Sequence, residues 1–295
     1  VSASALVLDH VGVCARDLAP LAAAYEALGF TLTPIAQQSG RRAPHLPLER
    51  FGTGNRCAFL HHGYIELLAI LDPGLFDNQL GRFLGRYPGL HILALGIDDA
   101  EANLARLRKA GLDIPGIAPL ERPVDDPDGP RARFERLPYP DAPEGRIQLI
   151  RHLTPELVWQ ERWLSHANRA IALEELILTA ENVAQTAARL SRLAGRPVEP
   201  AAEGGYLLRL PGGAGLAGPQ APAMETRVRM LWPDALASVL PGVAPPALPF
   251  LAGMVVKTED GGAAARGLLG ESLRAVPGGW MAPPAIAGGA AVVFT

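Results

Sequence analysis

Cysteine is scarce in this chain, long basic runs are absent, and no apolar stretch is long. Its 295 residues hold two cysteines, Cys14 and Cys57. That usage implies no disulfide framework and fits a reduced, cytoplasmic setting. Both thiols are expected to pack rather than react, since free cysteine is commonly buried. The formal net charge is −3, with no clustered lysine or arginine run. Nucleic acid and anionic membrane surfaces are therefore not expected partners. No run reaches the roughly 18 apolar residues of a membrane-spanning helix. The opening VSASALVLDHVGV passes straight into a strand-like pattern. It lacks a charged leader and a long apolar segment, so no signal peptide is expected.

Material for a sizeable core is present: 48% of the residues are hydrophobic and the mean hydropathy is +0.14. Domains commonly run to about 100–200 residues, so two are expected. Along the chain, LVLDHVGVCA (6–15) reads as a strand. Asp17 then caps a helix that carries Leu18, Leu21, Ala22, Tyr25 and Leu28 at helical spacing and stops at Gly29. Phe30–Pro34 reads as a short strand, followed by a polar, proline-rich stretch to about Phe51. Arg56–Leu60 and Tyr64–Leu71 form a hairpin turned at His61-His62-Gly63. The order is βαβββ. It recurs from His91, with Asp98 or Asp99 as the helix cap and later strands at Arg131–Leu137 and Arg146–His152. The spacing from His10 to His91 nearly equals that from Glu66 to Gln148, which points to a duplication. A third copy begins at Leu173 and a weaker fourth near Phe250. Thr154–Ala170, with Trp159 and Trp163 as packing anchors, reads as the connector.

Four such modules resemble the vicinal-oxygen-chelate superfamily, which spans glyoxalases, bleomycin- and fosfomycin-resistance proteins, extradiol dioxygenases and methylmalonyl-CoA epimerase. LDHVGVCARDL and GYIELLAILDP carry the resemblance most clearly, helped by GTGNRCAFL, LIRHLTPELVW and SHANRA. These strings look like those of glyoxalase-like proteins. The implied fold is α+β: four βαβββ modules paired into two glyoxalase/bleomycin-resistance/dioxygenase-type domains with cupped mixed sheets. The expected boundaries are 1–152 and 171–295, with 153–170 between them. The resemblance also implies a metal held by the first and fourth strands of each module. Carried onto this chain, those positions are His10, Glu66, His91 and Gln148.

Strand alternation can be set against that set. His10, Gly12 and Cys14 share one face of their strand, as do Tyr64, Glu66 and Leu68 of theirs. His91, Leu93 and Leu95 do likewise, and so do Arg146, Gln148 and Ile150. All four candidates then face one pocket. Two imidazoles and a carboxylate suit Fe, Mn, Ni, Co or Zn, with Gln148 as a weak fourth ligand or a hydrogen-bond donor. Without a metal, Glu66 would need a partner such as Arg146 or His10, because an unpaired buried carboxylate is costly.

The expected function is a divalent-metal-dependent lyase, isomerase or dioxygenase acting on a small oxygenated organic molecule, with Glu66 as its base. The alternative is a metal-free binding or resistance protein whose pocket is lined by Tyr64, Arg146 and Phe59. A purely structural role is the least expected. The glyoxalase pattern offers Glu where Gln148 stands, and extradiol enzymes take their Glu from the other module, so neither activity fits fully. In the second half, Glu175 takes the place of His10 and Gly253 stands in the matching place of the fourth module, so no metal is expected there. A homodimer is possible by analogy. His61 and His62 are expected in solvent, 121–136 as an exposed loop or lid, and Gly212, Gly213 and Gly215 as a turn.

Overall fold

The computed structural model describes residues 6–42, 46–126, 128–140 and 142–295. The first half runs β1 (Val7–Ala15), α1 (Leu18–Ala27), β2 (Ala36–Gly40), β3 (Glu49–Phe59), β4 (Tyr64–Ile70), α2 (Leu80–Leu84) and β5 (Gly89–Gly96). It continues with α3 (Ala100–Lys109), β6 (Ala118–Pro123), β7 (Arg131–Tyr139) and β8 (Arg146–His152). These eight strands close a barrel in the order β1-β4-β3-β2-β6-β7-β8-β5. Within each module the first strand runs parallel to the last, β1 to β4 and β5 to β8. The modules meet through antiparallel pairs, β1 with β5 and β2 with β6.

A short helix, α4 (Pro155–Val158), leads into β9 (Ala170–Thr179), α5 (Val183–Ala194), β10 (Val198–Pro200), β11 (Tyr206–Leu210) and β12 (Thr226–Leu231). There follow α6 (Leu236–Val239), β13 (Phe250–Thr258), α7 (Ala263–Leu269), β14 (Arg274–Val276), β15 (Gly279–Ala282) and β16 (Ala291–Phe294). The second sheet, β10-β11-β12-β9-β13-β16-β15-β14, repeats the pairing pattern of the first but stays open. Its edge strands β10 and β14 have three residues each, too short to reach across and seal a second barrel.

Local chemistry sets the helix boundaries. The Asp17 carboxylate accepts from the Ala19 N–H and that of Asp99 from Ala102, while the Asn182 side-chain oxygen accepts from Gln185. Each satisfies a backbone donor that the first helical turn leaves free. Two expectations fail. Residues 30–34 form no strand, because Thr31 gives its N–H to His166 Nδ1 and its hydroxyl to the Ser165 carbonyl. The backbone there serves the connector, and the strand falls at β2, inside the stretch read as irregular. Residues 121–136 are no open loop either: most of them belong to the β6–β7 hairpin, in full register from Ala118↔Arg136 to Pro123↔Arg131.

The halves share one continuous apolar core. Phe30 stacks on Phe294 at 6.0 Å, and Tyr87 meets Phe250 at 5.1 Å. His61 is exposed as expected, but His62 is not: its N–H donates to the Ile171 carbonyl and its own carbonyl accepts from Leu173. The His62 side of the β3–β4 turn is docked against β9. Trp159 anchors the connector by donating its indole N–H to the Leu60 carbonyl at 3.1 Å. Glu144, fully buried, reaches from the β7–β8 turn to α5. There it accepts from the Thr186 hydroxyl at 2.7 Å and pairs with Arg189. Breaking a buried ion pair from one side costs about 3–5 kcal/mol. Glu144→Ala is expected to lower the unfolding free energy by about 3 kcal/mol in urea titration; a change within experimental error would show the contact to be dispensable.

Candidate functional site

Strand alternation inside the barrel brings His10 (β1), Glu66 (β4) and Gln148 (β8) to one cavity, with Tyr64 and Arg146 beside them. Gln38 (β2) and Arg122 (β6) come from strands that the sequence did not reveal, while Asn55 lies in β3, just before the strand read from Arg56, and Arg136 in β7, read as a strand but not as part of the site. The cavity has an inner part of about 30 Å³ and opens into an outer chamber of about 300 Å³. Asn78, Arg136, Arg146 and Gln148 border both.

His91 is not among them. The β1–β5 register passes from Gly12↔Ile92 to Val13↔Leu90, so His91 is the extra residue of a bulge. A one-residue slip turns every later side chain to the other face. Ile92 therefore lines the cavity, while Leu93 and Leu95 join the core behind the sheet. The His91 ring stacks on Tyr87 at 4.1 Å and lies 5.5 Å from Phe83, with Nε2 2.7 Å from the Tyr87 carbonyl. Phe59 also lies off the cavity, in an aromatic cluster with Tyr64 (4.9 Å) and Trp159 (5.8 Å).

A second bulge brings in residues that the sequence reading missed. The β1–β5 pairing skips Asp9, between Leu8↔Leu95 and His10↔Ala94. Asp9, fully buried, holds His10 Nδ1 at 2.6 Å with one oxygen and His152 Nε2 at 2.9 Å with the other. Burial alone would raise the Asp9 carboxyl; the two imidazoles outweigh it and bring it down to about 2. The charged carboxylate fixes the His10 ring, which stacks on Tyr64 at 4.4 Å, and leaves Nε2 for the cavity. An acid at a position where alternation expects an apolar residue was the one available signal.

Glu66 is held by amides rather than by Arg146 or His10. Its Oε1 accepts from Gln38 Nε2 at 3.1 Å and from Asn55 Nδ2 at 2.6 Å. Thr53 fixes Gln38 by donating to its oxygen at 2.9 Å. Burial pushes Arg136 down to about 10, helped by neighbouring Arg146 and opposed by Glu66. Arg146 is lowered for the same first reason and donates to the Asn78 carbonyl. Asn78 and Gln79 both have positive φ, 49° and 61°, a strained backbone for non-glycine residues at the cavity wall. Cys14 and Cys57 are buried, and burial raises both thiols to about 12, so neither is a nucleophile at neutral pH.

The second half repeats both bulges, skipping Glu174 and Ala252. Glu175 thus stands where His10 stands, and Gly253 matches Ile92 rather than His91. Glu175 is buried between Arg227 and Arg229, so its charge is already met.

Paired βαβββ modules with this strand order define the vicinal-oxygen-chelate superfamily. The chain belongs to its glyoxalase-like domain family, whose sequence pattern matches residues 8–194. Three solved structures share the fold. A hypothetical protein from Staphylococcus aureus has TM-score 0.60 and 13% identity, over 98% of this chain and 99% of that one. The Mn(II)-bound glyoxalase from Novosphingobium aromaticivorans has TM-score 0.54 and 11% identity, over 99% and 82%. A mutant 4-hydroxymandelate synthase from Streptomyces coelicolor has TM-score 0.53 and 13% identity, over 92% and 76%. No curated protein matches the sequence. Among the described residues no helix is long and apolar enough to cross a membrane.

The donor set can be tested against the metal that such relatives suggest. Among the described residues, no group of three His, Cys, Asp or Glu side chains is arranged to hold a metal ion; in the Asp9, His10 and His152 cluster both Asp9 oxygens are already taken by the imidazoles. The cavity offers one imidazole, one carboxylate and the Gln148 amide, with three guanidinium groups beside them. Catalytic Zn sites and non-haem Fe(II) sites use three protein ligands of the imidazole, thiolate and carboxylate kinds. The residues present do not make that set.

His91 gives a pH prediction. Burial lowers its pKa to about 4, so the native ring is neutral where the unfolded one, at about 6.5, takes up a proton. The unfolded state binds more protons in that window. Stability from His91 is therefore fully present above pH 6.5 and is lost as the pH falls toward 4. His91→Gln is expected to flatten this fall by on the order of 2 kcal/mol in urea titrations across the window; an unchanged profile would contradict it.

Proposed function

We propose that the first domain is a small-molecule site that moves a proton on an oxygenated organic substrate without needing a resident metal. The observation that supports it is that Glu66 and the Asp9-oriented His10 line one cavity whose other charged groups are arginines. Glu66 is held through one oxygen by neutral amide donors, and no Arg or His nitrogen pairs with it among the described residues. It is suited to act as a base toward a proton next to a carbonyl. His10 would then act as the imidazolium, donating Nε2–H to the substrate oxygen on which charge develops, while Asp9 supports its charge through Nδ1–H. Arg146 and Gln148 orient the substrate from β8, and Tyr64 backs the His10 ring. The reaction class is that of an isomerase or lyase passing through an enolate.

Two other readings keep one observation each. His10, Glu66 and Gln148 on one cavity would suit a divalent ion (Fe, Mn, Ni, Co or Zn) if substrate supplied further ligands. The small inner chamber would also suit simple sequestration, as in resistance proteins of this superfamily. Exchange of α-protons with solvent deuterium, followed by NMR on hydroxyacetone and 2-oxobutyrate, separates the three. We expect exchange that survives EDTA and falls at least about 10²-fold in Glu66→Gln. Exchange abolished by chelator and restored by Mn(II) would favour the metal enzyme. Binding with no exchange would favour sequestration, and exchange undiminished in Glu66→Gln would remove the base assigned here.

A further inference from the structure

The first-domain cavity carries a charge that the protein does not balance. Arg122, Arg136 and Arg146 border its inner part, and Glu66 is the single carboxylate among the lining residues. Arg146 spends one N–H on the Asn78 carbonyl, and Arg122 lies over the Phe59 ring at 5.9 Å. The Arg136 side chain makes no hydrogen bond or ion pair among the described residues, and its Nε is buried without a partner. A partly buried guanidinium left unpaired is unfavourable unless something else meets its charge. On the protein side nothing does: the nearby charges acting on Arg136 are the like charge of Arg146 and the amide-held Glu66.

Position narrows what could meet it. Arg136 and Arg146 stand where the inner and outer chambers join. Beyond that neck the outer chamber, about 300 Å³, is walled by Phe83, Pro115, Ile117, Pro138 and Tyr139, with Arg41, Arg42 and Arg82 also on its border. Apolar walls with a few convergent polar groups are the usual make-up of a small-molecule site. The inner part, about 30 Å³, has room for only a small group. The charged donors at the neck are guanidinium forks, which match the two oxygens of a planar carboxylate. The nearest helix, α2, has five residues and supplies no row of free backbone N–H groups for a phosphate.

We infer that the ligand is a carboxylic acid with an apolar body, its carboxylate seated on Arg136 and Arg146 and its body in the outer chamber. This places the oxygenated carbon next to the carboxylate at the entrance to the inner part, toward Glu66 and His10. The inference rests on the barrel being the small-molecule site proposed above, and it adds Arg136 as the group that selects the ligand class.

Calorimetry at pH 7 on the full chain tests it with four probes: 4-phenylbutyrate, its neutral amide, butyrate and inorganic phosphate. The expected result is that 4-phenylbutyrate binds at least about 10-fold tighter than the amide, for the charge, and than butyrate, for the body. Arg136→Gln, checked for folding by circular dichroism, should bring the acid down to the affinity of the amide and leave the amide unchanged. If that variant does not fold, the acid–amide comparison on the unaltered protein decides alone. Equal affinity for acid and amide, tighter binding of inorganic phosphate, or no acid binding at about 10 mM would overturn the inference. The two proposals fail separately. Acid preference without deuterium exchange leaves the clamp and removes the base. Exchange without acid preference does the reverse.

Discussion

The site depends on two bulges where β1 meets β5. β1 lies between β4 and β5, so every side chain it turns inward meets both modules of the barrel. At Asp9 the ladder gains a residue, and two consecutive polar side chains, Asp9 and His10, come into contact. At His91 it gains another, and the inward place passes to Ile92. Either bulge alone would alter the chemistry. Without the first, Asp9 would point to the core face, a costly place for a carboxylate. Without the second, a second imidazole would reach the cavity. Bulges re-aim side chains in this way near functional sites. Here they recur at Glu174 and Ala252 in the second half, so they belong to the duplicated fold and not to the residues of one half.

That recurrence explains what the sequence could and could not show. Modules, helix caps and most strands were readable because they rest on local signals: Asp17 and Asp99 at caps, alternation in β1 and β4, and matched spacing between copies. The cavity faces of β4 and β8 were readable too, since Glu66 and Gln148 sit on unbroken ladders. His91 was not, because a bulge leaves no mark in one strand's alternation; only pairing with β1 reveals it. β2 and β6 were hidden for another reason. They close the barrel through two residue pairs, Ser39↔Glu121 and Gly40↔Leu120, with sequences too polar and proline-bearing to stand out. Arg122 looked like part of a charged loop, and Arg136 fell both in that stretch and in the strand read at Arg131–Leu137.

Closure is also what separates the two halves. In the first, β2 and β6 meet, and the enclosed polar groups are screened from bulk water. In the second, β10 and β14 stop short and the sheet stays open. Glu175, in the register of His10, is then met by Arg227 and Arg229, an arrangement that leaves little for a ligand to do. The same fold thus carries one cup with its charge satisfied internally and one without. The second half instead contributes support: it receives Glu144 on α5, docks the His62 turn on β9 and continues the apolar core.

Electrostatics favour one of the proposed readings of the first cup. A divalent cation beside Glu66 would gain one carboxylate and one imidazole but would face Arg122, Arg136 and Arg146. Unlike ligand protons, guanidinium charges cannot be shed at neutral pH, even with Arg136 lowered to about 10. An organic anion reverses every sign: three repulsions become attractions, and the one carboxylate is already tied by Gln38 and Asn55 on the side away from the remaining oxygen. Under the proposed function, the guanidinium charges that would oppose a cation would instead seat the anionic group of the substrate beside Glu66 and His10.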